Sequence, residues 1–296
     1  MIGVELTDTS ARAVALDADG RVTARATESS GDLASAALAA IAAVAPSGGT
    51  AQATAAAAFA ALFPESPTVV AAMRSLGART APGADALPPS GVAAAAAEAW
   101  VGAARGRGDV VFFATAEHTT AGILKNGAPM SGASGRAASA AWLALNPVER
   151  EDYRRAGCLE AEVAAAGIVR RLIWRIKAGD RSRISDRVNG DLTLVTLEHV
   201  LEAARSGDGV SISVMRDTAK YLGMAAANLV AICDPEILVL GGIMGSAADL
   251  LLEPVRVEMA RRLPPAMIEV LAVEPGSLGA DAAAIGAARL ALVPRS

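Results

Sequence analysis

Two apolar runs stand back to back in Asp109-Val-Val-Phe-Phe-Ala-Thr-Ala-Glu-His-Thr-Thr-Ala-Gly-Ile-Leu-Lys-Asn-Gly127. Val110–Ala114 and Ala121–Leu124 read as buried strands, and the polar Glu117-His118-Thr119-Thr120 between them reads as a tight turn. Asn126-Gly127 marks a second reversal. His118 is one of only two histidines in the chain. With Glu117 beside it, it sits at a strand end, where α/β proteins collect their ligands. This strand–turn–strand unit predicts the position of a functional cleft.

The rest of the chain sets bounds on that expectation. Its 296 residues suffice for two domains with well-buried cores. No run approaches the roughly 20 strongly apolar residues that span a bilayer, so no membrane partner is expected. Met1-Ile-Gly-Val-Glu begins as a strand and lacks the layout of a secretory signal. Cys158 and Cys233 are the only cysteines, which excludes a disulfide framework and predicts a reducing, cytoplasmic setting. A net charge of −4 with dispersed Lys and Arg gives no basic face for nucleic acid.

In order, residues 2–7, 11–17 and 21–27 read as an antiparallel meander, followed by helix Asp32–Val44 and a strand within Thr50–Ala58. Pro67–Leu76 reads as helix, Ala78–Thr80 as a short strand, Pro82 to Pro89 as loop and Val92–Arg105 as helix. Beyond the opening hairpin the pattern predicts helices at Gly135–Leu145, Cys158–Lys177, Leu197–Ala204 and Val210–Ile232, with a polar loop at 180–194. Cys233-Asp-Pro-Glu-Ile-Leu-Val-Leu-Gly-Gly242 reads as a strand, then helix 247–262, strand 268–273 and helix 279–292. The alternation argues for α/β architecture.

The segment Asp234-Pro-Glu-Ile-Leu-Val-Leu-Gly-Gly242 resembles the Asp-Pro-Glu-x-Ile-Val-Leu-Gly-Gly signature of the ROK family, which groups bacterial sugar kinases with transcriptional repressors. Glu98-Ala-Trp-Val-Gly-Ala-Ala-Arg-Gly, Ala121-Gly-Ile-Leu-Lys-Asn-Gly127, Gly157-Cys-Leu-Glu160 and Leu278 to Ala288 agree with it in order and spacing. The resemblance implies an actin-like (ribonuclease H-like) α/β fold of two domains, residues 1–115 and 116–279, with a final helix near 280–296 returning to the first. It also implies a homodimer. The repressors' N-terminal helix-turn-helix has no room here, so no DNA partner is expected.

Several family positions are changed. The family's catalytic aspartate, which takes the proton from the sugar hydroxyl, falls at Ser90, and a serine has no basicity near neutral pH unless activated. The first phosphate loop reads Glu5-Leu-Thr-Asp-Thr9 in place of Asp-x-Gly-Gly-Thr. The second reads Ala116-Glu-His-Thr-Thr-Ala-Gly122 in place of a glycine run. A carboxylate about 4 Å from a phosphate charge costs on the order of 4 kcal/mol at an effective dielectric near 20. The family's Glu-x-Gly-His element reads Ser139-Ala-Ala-Trp142, and its cysteine cluster keeps only Cys158, so no structural zinc is expected.

Three functions follow as expectations. The first is a sugar- or small-molecule-binding or assembly protein without kinase activity. The second is a repurposed enzyme in which His118, Glu117 and Asp8 perform acid/base chemistry. The third is an ATP-dependent hexose or N-acyl-hexosamine kinase, to which ATP and Mg belong. Under that reading Glu5, Thr9, Gly241 and Gly242 face the cofactor and Ser90, Ser139 and Glu160 the substrate. Glu5, Asp8, Glu117 and His118 are expected to converge on the cleft floor. Glu98 and Glu160 also have a plainer reading, as groups that orient backbone or cap helices, and His199 is expected to sit on a helix flank without a role.

Overall fold

The computed structural model describes residues 1–45, 55–59 and 88–292. Strands β1 (Ile2–Leu6), β2 (Ser10–Leu16) and β3 (Val22–Ser29) form the expected meander, followed by α1 (Leu33–Val44) and β4 (Ala55–Phe59). The Asp32 side chain caps α1 by accepting from Ala34 N and Ser35 N. The first sheet has the order β3-β2-β1-β4, with β4 parallel to β1. The readings at Pro67–Leu76 and Ala78–Thr80 lie outside the described residues.

Next come α2 (Ser90–Val101), β5 (Val110–Thr115), β6 (Thr119–Lys125) and β7 (Ala128–Pro129). Helices α3 (Glu151–Ala156), α4 (Cys158–Val163), α5 (Ala165–Lys177), α6 (Ile184–Arg187), α7 (Leu197–Arg205) and α8 (Gly209–Cys233) follow. The chain then runs through β8 (Ile237–Gly242), α9 (Ile243–Ser246), α10 (Ala248–Ala260), α11 (Pro265–Val270), β9 (Ala272–Pro275) and α12 (Ala282–Leu292). The second sheet has the order β7-β6-β5-β8-β9, with β5 antiparallel to β6 and parallel to β8. All six residues of β5 are buried, as a strand covered on both faces requires. The expected boundary at 115 falls at the last residue of β5, inside the β5–β6 hairpin. No helix among the described residues is long and apolar enough to cross a membrane.

The alanines have a structural purpose. Helices α2 and α12 lie against each other, α12 also touching β1 and α2 touching β5 and β6, so the pair joins the two sheets. The approach is close enough that a Cβ on Gly286 would stand 1.7 Å from Ala93 O, and one on Gly122 would stand 2.0 Å from Gly91 O. Only small side chains permit backbones so near. Glu98, fully buried in α2, accepts hydrogen bonds from Ala103 N (2.7 Å), Ser277 Oγ (3.1 Å) and Leu278 N (3.1 Å). It orients backbone, as expected, and ties α2 to the segment leading into α12. Glu98→Leu strands those donors. The expected loss in a urea melt is on the order of 3 kcal/mol, and an unchanged midpoint would refute the assignment.

Some sequence expectations fail for local reasons. Gly135–Leu145 is not a helix but a series of turns ending in a 3-10 turn at Ala140–Trp142, because Gly132, Gly135 and Ala138 all adopt positive φ. The single helix expected over Cys158–Lys177 breaks at Ala164 (ψ 158°), where Ala165 N leaves the helical ladder to donate to Ala116 O at 2.9 Å. The 180–194 segment is more than a loop, since Ile184 in α6 is fully buried. The strand expected at 268–273 starts later, at Ala272, because Pro265 at the first helical turn starts α11 instead. Thr119 and Thr120 belong to β6 rather than to the turn.

Candidate functional site

The β5–β6 hairpin reverses through Ala116, Glu117 and His118, closed by Ala116 N donating to His118 O at 3.0 Å. Opposite it stands the β1–β2 turn, held by Thr7 Oγ1, which accepts from Ser10 N at 3.0 Å and Thr9 N at 3.3 Å. That turn carries Asp8 at its tip. The two tips meet through His118, whose Nε2 lies 2.8 Å from Asp8 Oδ2 and whose Nδ1 lies 2.9 Å from Glu160 Oε1 on α4. The other Glu160 oxygen accepts from Thr119 N at 2.6 Å. The imidazole and Glu160 side chains are 17% and 6% exposed, against 41% for Asp8. The Glu160 hydrogen bond holds the His118 pKa above its usual value, with Asp8 adding to it and burial opposing.

Glu5 does not join this cluster. Its carboxyl lies beside Ser90, and burial lifts it above the usual carboxylate range against the pull of the Ser90 hydroxyl and the Arg12 charge. The Ser90 hydroxyl is itself buried without a formed hydrogen bond. Three residues on, Asp8 belongs to the exposed turn, so β1 sends one acid to the start of α2 and its following turn sends the other to the hairpin.

The expectation that Glu117 accompanies His118 is corrected. Glu117 is exposed at the tip, and its side chain makes no hydrogen bond among the described residues. Glu160 takes its place, from 42 residues away in sequence. Thr9 is exposed and engages Thr7 through its backbone. Ser139 is exposed and donates to Arg136 O at 2.7 Å, a bond within its own turn. Gly241 and Gly242 end β8 beside β5, where a Cβ on Gly242 would stand 2.0 Å from Thr115 O. Close packing by itself requires glycine there. His199 completes a capping box with Thr196 at the start of α7, in line with its expected place on a helix flank.

The donor chemistry bears on the two groups that the resemblance implies. A phosphate cradle needs backbone N–H groups free to turn toward the anion. Here Ala116 N is engaged by His118 O and Thr119 N by Glu160, and the Asp8 carboxylate stands on the facing turn. This arrangement does not fit nucleotide phosphates. Where the family clusters cysteines, Cys158 packs against Tyr153 and Ala161. The guanidinium of Arg150 lies 3.2 Å and that of Arg171 3.7 Å from the nearby Glu162 carboxylate. Two guanidiniums do not fit a divalent cation, and the described residues hold no group of three ligating side chains.

Comparison with known proteins agrees with the architecture. A model of the ROK family matches residues 91–293. Glucokinase of Halalkalibacterium halodurans is 29% identical over 195 residues, covering 65% of this chain and 59% of that enzyme. The bifunctional enzyme NanE/NanK of Brucella melitensis is 34% identical over 200 residues, covering 67% of this chain and 33% of that protein. The chain thus spans about three fifths of the glucokinase and one third of the bifunctional enzyme. A ROK family glucokinase from Streptomyces griseus, solved with glucose and AMPPNP, superposes with a TM-score of 0.78 at 23% identity over 98% of each chain.

Proposed function

This chain belongs to the ROK family and has its actin-like α/β fold, and from that premise we propose that it binds a sugar or a similarly hydroxylated small molecule and has lost ATP-dependent phosphoryl transfer. The observation that carries the reading is the Asp8–His118–Glu160 bridge. It runs between the two loops that would hold a nucleotide's phosphates and consumes the N–H groups and charge that such loops need. Loss of the carboxylate at position 90 points the same way. A sugar-binding role for the cleft is supported by the matched glucokinases and by the Streptomyces griseus enzyme's bound glucose. The proposal includes a homodimer and neither DNA nor a structural zinc as partner.

One observation favours a second reading, phosphoryl transfer with a displaced base. The Glu5 carboxyl, held above its usual range, lies beside Ser90, so it is placed to accept a proton where Ser90 cannot. Acid/base catalysis by His118 has less support. Both ring nitrogens face carboxylates, and neither is free for a ligand while Asp8 stays in place.

Titration calorimetry with common hexoses and N-acyl hexosamines tests the binding proposal. At least one is expected to bind with a Kd below about 1 mM, equivalent to about −4 kcal/mol, and with the same Kd when ATP and Mg are present. Absence of binding across the panel, or binding that requires ATP, would overturn it.

A further inference from the structure

A second polar cluster lies behind the bridge, on the far side of α4. Glu162 is 2% exposed. It accepts a short hydrogen bond from the Tyr153 hydroxyl on α3 and one from Arg150 Nη1 at 3.2 Å. Its second oxygen lies 3.7 Å from Arg171 Nε on α5. Arg171 Nη2 in turn donates to Thr218 Oγ1 on α8 at 2.5 Å. Asn146 Nδ2 lies within hydrogen-bonding distance of the Tyr153 and Tyr221 hydroxyls, at 3.2 and 3.4 Å. One carboxylate thereby gathers α3, α4, α5 and, through Arg171, α8.

Glu160 and Glu162 are two residues apart on a six-residue helix, and two residues turn a helix by about 200°. The two carboxylates therefore leave α4 on opposite sides, one toward the hairpin and one toward the helices. The segment between and just after them grips the hairpin tip directly. Val163 O accepts from Thr115 Oγ1 at 3.1 Å, Ala165 N donates to Ala116 O at 2.9 Å, and Glu160 holds His118 and Thr119 N. A helix this short has no stability of its own and keeps its orientation only through such ties.

We propose that Glu162, with Tyr153, Arg150 and Arg171, is a metal-free staple that fixes α4 and thereby holds Glu160 in position against His118. Glu162 is a positioning residue for the cleft, acting through Glu160 and touching neither ring nitrogen. The cluster stands where the family resemblance implies zinc, and its guanidiniums replace the cation's charge with charge from the chain itself. The inference goes beyond the ligand-binding proposal and stands without it, because its readouts require no ligand.

The chain contains two histidines, so an NMR titration of imidazole resonances reads His118 with His199 as an internal reference. In Glu162→Gln the His118 midpoint is expected to move down toward the ordinary imidazole value of about 6.5, while His199 stays put. Tyr153→Phe keeps every charge and removes one hydrogen bond, so it gives a smaller shift in the same direction should Glu162→Gln fail to fold. In the wild type, metal analysis is expected to find far less than one zinc atom per chain, and EDTA to leave Tm unchanged. A His118 midpoint unmoved in a folded variant overturns the positioning role. Stoichiometric zinc, or a Tm that falls with EDTA, overturns the metal-free staple.

Discussion

With ATP, Mg and common hexoses or N-acyl hexosamines, a coupled ADP-release assay is expected to return turnover below about 0.01 per second, against roughly 1–1000 per second for ordinary enzymes. Phosphoryl transfer depends on positioning and on charge stabilisation around the transferred group. This cleft places the Asp8 carboxylate on one loop and ties up the N–H groups of Ala116 and Thr119 on the other. Ser90→Asp should therefore restore no activity, because a base without a phosphate cradle has nothing to act on. Wild-type turnover in the ordinary range would refute the loss of kinase activity. If that activity then vanished in Glu5→Gln, the displaced-base reading would take its place. Recovery in Ser90→Asp alone would mean that only the base had been missing.

Removing the bridge is expected to cost on the order of 3 kcal/mol at pH 6, read from denaturant melts of wild type and His118→Ala, because the nearly buried Glu160 carboxylate loses its cationic partner. The cost should shrink as pH rises. His118 binds its proton more tightly in the folded protein than in the unfolded chain, since Glu160 and Asp8 favour the imidazolium. The stabilisation is therefore complete below the unfolded value of about 6.5 and disappears as pH climbs through the higher folded value. The wild-type and variant melts should approach each other by pH 9. A gap that stays constant from pH 6 to pH 9 would show that the ring contributes by packing and not by charge.

Much of the fold was legible in the chain. The apolar runs around residue 117 are the β5–β6 hairpin within a residue or two, and Asp32 does cap its helix. Strand and cap signals depend on neighbours in sequence, and those neighbours are visible. The elements that moved depend on distant contacts. Ala164 breaks a helix because Ala165 N finds Ala116 O, and Ile184 turns inward although its segment is polar.

The site divides along the same line. The sequence picked out Asp8 and His118 as acid/base candidates, and the family resemblance added Glu160 as a position facing a ligand and Ser90 as a base position without a base. It could not pair them, because an imidazole's partners are chosen by which turns the fold brings within about 3 Å. Adjacency favoured Glu117, yet a two-stranded reversal points successive tip residues different ways, and only the inward one meets α4. Glu5 likewise lies three residues before Asp8 but is half-buried beside Ser90, because it belongs to β1 itself while the turn that follows reaches the hairpin. Residue chemistry was set by the sequence, whereas the joining of two loops by one charged ring was decided by the packing of both sheets on the alanine-rich helices between them.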